Sequence, residues 1–370
     1  MGSQRVVSKS RGWSAVARCA LAGAGLTVGV TACTTDRGGE TSSTTADEII
    51  GGFPATSAKL NAIGAIGQPD GAGGFTPFCT GTLISSTMVL TAKHCVNHGD
   101  PAQLVFLIGP NARAPLEVVP ARGAAFEPTV TGGAVDLGSD VGILHLATPV
   151  NDVAPLPFAA LTNDRVGSRM VAVGYGVQNT DLVRGTRQSG SMTLRATSGS
   201  VFAAIFGSFA SFVQNGAPRL FPDLDPNDPA QLAILQQEFD QTLLLDGIEA
   251  WFGAGRGDAQ ACTGDGGGPI TAKVGTLTTV FGVSSWGFGS EETCTLDGSS
   301  YASLNPVSLD FIDYETNCPL VPRAGFCDGP TVAVRCANPN EGGRRELRTD
   351  CAELDQVCGI DENGNLGCID

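Results

Sequence analysis

The chain has 370 residues, enough for two or three domains with sizeable cores. Fifty glycines and 21 prolines with 16% charged residues favour strands and turns over helical bundles. A formal net charge of −15 argues against nucleic acid as a partner, because its phosphates would be repelled.

The N-terminus reads as an export signal over residues 1–32. Arg5, Lys9, Arg11 and Arg18 form a basic region. The apolar run "CALAGAGLTVGVTA" follows and is too short for a stable membrane span. It closes on "VTAC", which resembles a bacterial lipobox. That resemblance implies cleavage before Cys33, lipidation of its thiol, and a membrane anchor at the envelope or cell surface. An ordinary signal peptide with release of the protein is the alternative. Residues 33–48 are polar and rich in Thr, Ser and Gly, as in a tether. Of 12 cysteines, Cys19 lies in the signal and Cys33 would carry lipid. The remaining ten suit five disulfides in an oxidising compartment.

"IIGG" stands at 49–52, and "FCTGTLISSTMVLTAKHC" at 78–95 predicts two strands with a turn near Ser85–Thr87. "SDVGILHL" at 139–146 and "VAVGYGV" at 171–177 predict further strands. Between about 199 and 250 an apolar, aromatic stretch precedes a helical pattern. Asp228 is a good N-cap, Pro229 suits the first turn, Gly247 marks the end, and Leu232, Leu235, Phe239 and Leu243 form one stripe. "CTGDGGGP" follows at 262–269, "GVSSWGFG" at 282–289, and Asn305 with Pro306 at the start of a last helix.

In this order the landmarks resemble the trypsin-like (chymotrypsin-family, S1) serine proteases. The resemblance covers residues 49–317 and implies an all-β fold of two six-stranded antiparallel β-barrels, with the helical insertion added. It implies disulfides Cys79–Cys95 and Cys262–Cys294, with His94 as catalytic histidine and Asp140 as its carboxylate. Asp136 is the rival aspartate, but it lies in a Gly-rich loop, whereas an apolar strand follows Asp140 directly. Asp265 matches the partner of a new N-terminal amine, which would belong to Ile49. Asp47 and Glu48 precede that point, so an activator of tryptic specificity would not cut there. The backbone of Gly264 and Gly266 would form the oxyanion hole, which needs no side chains. Ser285, Trp286 and Gly287 would line the substrate pocket, with Gly287 leaving its mouth open. Gln260 would lie at the pocket base, where it offers no ion pair to a basic side chain. Lys93 is expected to point outward. No cofactor is implied.

A serine hydroxyl attacks a carbonyl only when a histidine takes its proton and a buried carboxylate orients that histidine. At the nucleophile position this chain has Gly266, and neither neighbour, Asp265 or Gly267, supplies a hydroxyl. The expected function is therefore an inactive S1 homologue that binds peptide or protein at the cell envelope. The alternative is an active serine-type endopeptidase with an atypical residue at 266. Four glycines within "GDGGG" also raise the cost of ordering this loop, which is expected to be mobile. His98 and His145 read as core or surface residues. No acidic residue separates His94 from His98 as a zinc hydrolase would need, so no metal is expected.

Residues 318–370 carry Cys318, Cys327, Cys336, Cys351, Cys358 and Cys368 without a CxxC pair or a histidine. So short a segment buries little core, and disulfides rather than zinc would staple it. A third reading gives the binding function to this tail.

Overall fold

A computed structural model describes residues 49, 52–97, 99–127, 139–177, 184–290, 293–338, 343–362 and 364–370, with backbone alone at 289–290 and 293–296. The signal, Cys33, the tether, His98 and Asp136 lie outside the described residues, as does the side chain of Cys294.

A short strand β1 (Phe53–Pro54) leads into the first barrel. Its strands are β2 (Ile63–Pro69), β3 (Phe75–Ser85), β4 (Met88–Ala92), β5 (Val105–Ile108), β6 (Glu117–Phe126) and β7 (Val141–Leu146). They close in the order β2-β3-β4-β7-β6-β5, every pair antiparallel. Closure removes sheet edges and directs Ile66, Leu83, Leu90, Phe106, Ile143 and Leu144 into one buried cluster. A one-turn helix α1 (Lys93–Val96) follows β4 and carries the histidine.

The second barrel begins with β8 (Arg169–Gly174) and β9 (Gln188–Ala196). The chain then leaves for the insertion: β10 (Gly199–Ser200), helices α2 (Val201–Phe206), α3 (Phe209–Asn215), α4 (Ala217–Leu220) and α5 (Pro229–Gln241), and β11 (Leu243–Leu244). It returns as β12 (Glu249–Phe252), β13 (Pro269–Val274), β14 (Leu277–Ser290) and β15 (Thr293–Ser303). The ring β8-β9-β12-β15-β14-β13 closes antiparallel, and β1 pairs on its outside with β9. Two closed six-stranded barrels are the expected all-β architecture.

The helix in the insertion differs from its expected extent. Asp228 caps α5 as read from the sequence, accepting the Ala230 N–H at 2.8 Å. The helix stops at Gln241, well before Gly247. Thr242 leaves the helical conformation, its carbonyl accepts from the Val201 N–H at 2.9 Å, and Leu243–Leu244 pair with Gly199–Ser200. Leu243 is therefore an exposed strand residue and leaves the helical stripe. Gly247 serves instead in the turn before β12, with φ +70°.

Helix α6 (Pro306–Asn317) is capped by Asn305, whose carbonyl oxygen accepts from Val307 and Ser308 N–H groups. Phe311 and Ile312 enter the core of the first barrel. The Cys-rich tail continues without a spacer. It forms a three-stranded sheet of β16 (Phe326–Asp328), β17 (Val332–Ala337) and β18 (Arg345–Asp350), then a hairpin of β19 (Val357–Ile360) and β20 (Leu366–Ile369). Disulfides 318–336, 327–358 and 351–368 staple it. It is fixed to α6 by Arg344 and Arg323 on Asp310 and by a cluster of Tyr314, Val321 and Val334. His145 is fully buried at this junction, with Nε2 2.9 Å from Glu315, so it is a core residue.

Candidate active site

The first barrel supplies the histidine and the carboxylate. Asp140 precedes β7 and is 2% exposed. It accepts the His94 backbone N–H at 2.9 Å and lies 2.7 Å from His94 Nδ1. Ser285, from β14 of the second barrel, donates its hydroxyl to the same carboxylate oxygen at 2.7 Å. The carboxylate thus holds His94 by one contact to its backbone and one to its ring, and is itself held across the two barrels. Cys79 is bonded to Cys95, which ties α1 to β3 as the resemblance implies. The two sulfurs lie near the His94 ring nitrogens, but bonded to each other they offer no thiolate to a metal. Lys93 lies beside the exposed Phe126. It is half-buried, with its ammonium 5.5 Å from the centre of the Phe126 ring.

The glycine-rich segment approaches from the second barrel and crosses to the first. Gly266 accepts from the Thr80 N–H at 2.8 Å, Gly264 accepts from the Thr80 hydroxyl at 3.0 Å, and Gly267 donates to Ser284 at 2.7 Å. The four glycines are therefore pinned at several points, which opposes the mobility expected from composition. Gly267 has no alternative here. Its φ is +77°, and a Cβ would fall 2.0 Å from the Thr91 hydroxyl. Gly266 sits against the histidine: a Cβ there would lie 2.6 Å from His94 Nε2 and 3.7 Å from Cys79 Sγ. Among the described residues, neither the Gly264 nor the Gly266 N–H donates a hydrogen bond.

Asp265 is fully enclosed and accepts from the Gly176 N–H at 2.8 Å and the Cys262 N–H at 2.9 Å. Burial without a cation pushes its pKa up to about 6, against the pull of those two N–H groups. The Ile49 side chain packs into the second barrel core, 2% exposed, but its nitrogen is a peptide nitrogen in the intact chain. Among the described residues the Ile49 nitrogen has no hydrogen bond to Asp265. Cys262 is disulfide-bonded, while Cys294, its expected partner, has its side chain outside the described residues.

These groups border a cavity of about 460 Å³ lined by Phe78, His94, Thr263, Ser285, Trp286 and Phe288 among others. Gly264 and Gly266 line it too. Gln260 does not. Its amide is buried and consumed: Nε2 donates to the Gly298 carbonyl at 2.8 Å and to Ser299 Oγ at 2.7 Å, and Oε1 accepts from the Gly298 N–H at 2.8 Å. A buried amide must satisfy its polar atoms, and the Gly298 backbone satisfies both ends. Gln260 thus supports the pocket wall from behind instead of meeting a ligand. A Cβ on Gly287 would make ordinary contacts with Gly298 and Ser299, so glycine leaves that space free.

Sequence reasoning missed Glu249. It is buried on β12, accepts from Trp286 Nε1 at 3.2 Å and from the Leu245 N–H at 2.8 Å, and burial raises its pKa. A carboxylate inside the apolar run "IEAWF" was the available signal. Phe288 was also missed. It stacks on Phe202 of the insertion with ring centres 5.4 Å apart, and Trp251 packs against both Trp286 and Phe288. The insertion thereby backs the strand that borders the cavity.

Two barrels, a histidine–carboxylate pair at their seam and an adjoining pocket define a trypsin-like protein. The Trypsin family model matches residues 49–212. The chain is 25% identical over 247 residues to "Fibrinolytic enzyme, isozyme C" of Lumbricus rubellus, covering 64% of this chain and 87% of that one. It is 24% identical over 216 residues to "Transmembrane protease serine 9" of Rattus norvegicus, covering 57% of this chain and 17% of the relative. The chain is thus similar to trypsin-like S1 peptidases over part of its length. Its disulfides belong to an oxidising, extracytoplasmic compartment.

Proposed function

We propose that the chain is a catalytically silent S1 homologue that binds a peptide or protein segment through its cleft at the bacterial cell envelope. One observation carries this reading: Gly266 lies beside His94 and has no oxygen to attack a carbonyl. In a hydrolase of this mechanism, losing the serine costs about 10⁶ in kcat. That corresponds to roughly 8 kcal/mol of transition-state stabilisation. The receptor parts do not need that hydroxyl. The cavity, the Gly264 and Gly266 backbone and the supported Trp286 remain. The printed names of both relatives describe enzymes, one of them a protease, which supports a peptide chain as ligand. The lipobox-like "VTAC" supports an anchor through Cys33.

A working serine endopeptidase is the second reading, favoured by the complete hydrogen-bond chain from Ser285 through Asp140 to His94. A fluorophosphonate probe separates the two. The folded native protein is expected to form no adduct in the cleft. A stoichiometric adduct there would overturn the silent reading.

A further inference from the structure

We infer that the cleft is a receptor for the free carboxylate at the C-terminus of a peptide whose last side chain is neutral and apolar. This rests on the peptide-binding reading above and names its ligand.

The Gly264 residue is buried, yet its N–H donates no hydrogen bond among the described residues. Buried backbone N–H groups are almost always paired, so an unspent one at a cavity calls for an acceptor from outside. The Gly266 N–H is equally unspent, and both residues line the same cavity as His94. The His94 ring is held by Nδ1 on Asp140, and Nε2 is its atom nearest Gly266. Gly264, Gly266 and His94 therefore border one corner of the same cavity, with Nε2 2.6 Å from the point a Cβ on Gly266 would occupy.

An internal peptide carbonyl brings one oxygen to that corner. A terminal carboxylate brings two oxygens and a negative charge. One oxygen can accept from the glycine N–H groups, and the other can accept from His94 when Nε2 carries a hydrogen. A side chain at 266 would stand between those two places, because its Cβ alone would lie 2.6 Å from Nε2. Glycine leaves the corner open for the second oxygen. Among the described residues, no Asp or Glu lines the cavity to repel an anion. The neighbouring pocket fits an apolar terminal side chain: Phe78, Trp286 and Phe288 line it, and Gln260 has spent its amide elsewhere.

The test uses the full chain and matched peptides ending in phenylalanine, as the free acid, as the amide, and extended by three residues. Affinity is read by calorimetry and cleavage by mass spectrometry on the same samples. The acid is expected to bind at least tenfold more tightly than the other two, with no cleavage. Gly266→Ala, and independently His94→Gln, are expected to abolish that preference. Equal binding of acid and amide without cleavage would overturn the carboxylate receptor and leave the peptide-binding reading standing. Cleavage of the extended peptide would overturn the silent reading itself. Failure of all three peptides to bind would overturn both. Persistence of the preference in folded Gly266→Ala would remove the carboxylate from this corner.

Discussion

His94 Nε2 lies 2.6 Å from the point that a Cβ on residue 266 would occupy, while Nδ1 of the same ring stays 2.7 Å from Asp140. The imidazole occupies space that a side chain at 266 would claim, while it keeps its carboxylate partner. The next nearest atom outside that ring is Cys79 Sγ at 3.7 Å, an ordinary contact. On the silent reading proposed above, glycine at 266 is therefore a local change at one position, next to a His94–Asp140 pair that stays hydrogen-bonded.

Gly266→Ala tests that locality. To reach the 3.4 Å of ordinary contact, Nε2 moves back about 0.8 Å. The ring should shift while the backbone of 262–268 stays in place, and stability should change by about 1 kcal/mol or less. A crystal structure of the variant checks this. A rebuilt loop would contradict it.

Asp265 should make the intact chain less stable as pH rises. Its folded pKa is raised to about 6 from the ordinary 3.8, so the folded chain holds a proton that the unfolded chain has released between those values. Stability falls as pH climbs through about 4 to 6, and the loss is complete above 6. Its size is on the order of 3 kcal/mol. Asp265→Asn should remove that part of the pH dependence in urea unfolding at pH 4 and pH 7. An unchanged difference between the two pH values would contradict the assignment.

Phe202 joins the insertion to the cleft, stacking on Phe212 at 4.7 Å and on Phe288 at 5.4 Å. Phe202→Ala should cost about 3–5 kcal/mol in denaturant unfolding. It should also weaken peptide binding, because Phe288 lines the cavity and loses its backing. Binding at native affinity by the folded variant would make the insertion a bystander.

Truncation after Asn317 separates the tail from the cleft. It removes Leu320 from its place against Gly123, and Val321 and Val334 from Tyr314. It also leaves the buried pair of His145 and Glu315 open to water. A loss of several kcal/mol in thermal unfolding is expected, with peptide affinity within about twofold of native. Loss of binding with a folded barrel pair would move the receptor to the tail.

What was legible in the sequence was local. The β3–β4 segment alternates apolar and small residues as a pair of strands does, and the caps Asp228 and Asn305 act within their own turns. What was illegible depended on partners far along the chain. Leu243 left the helical stripe because Gly199–Ser200 offered Leu243–Leu244 a strand partner. Gln260 does not line the cavity, because Gly298, 38 residues on, satisfies both ends of its amide. Glu249 was missed because its donor, Trp286, lies 37 residues further along the chain. The glycine-rich loop looked loose by composition, but Thr80 and Ser284 hold it from two barrels.

The most direct test of a silent cleft is peptide hydrolysis by the native chain beside Gly266→Ser, both cut between Glu48 and Ile49. The native protein should release no product above the uncatalysed background by mass spectrometry. The serine variant should gain measurable turnover and fluorophosphonate labelling, since His94, Asp140 and the Gly264 backbone are already in place. Turnover by the native protein at a rate comparable to the serine variant would contradict the account.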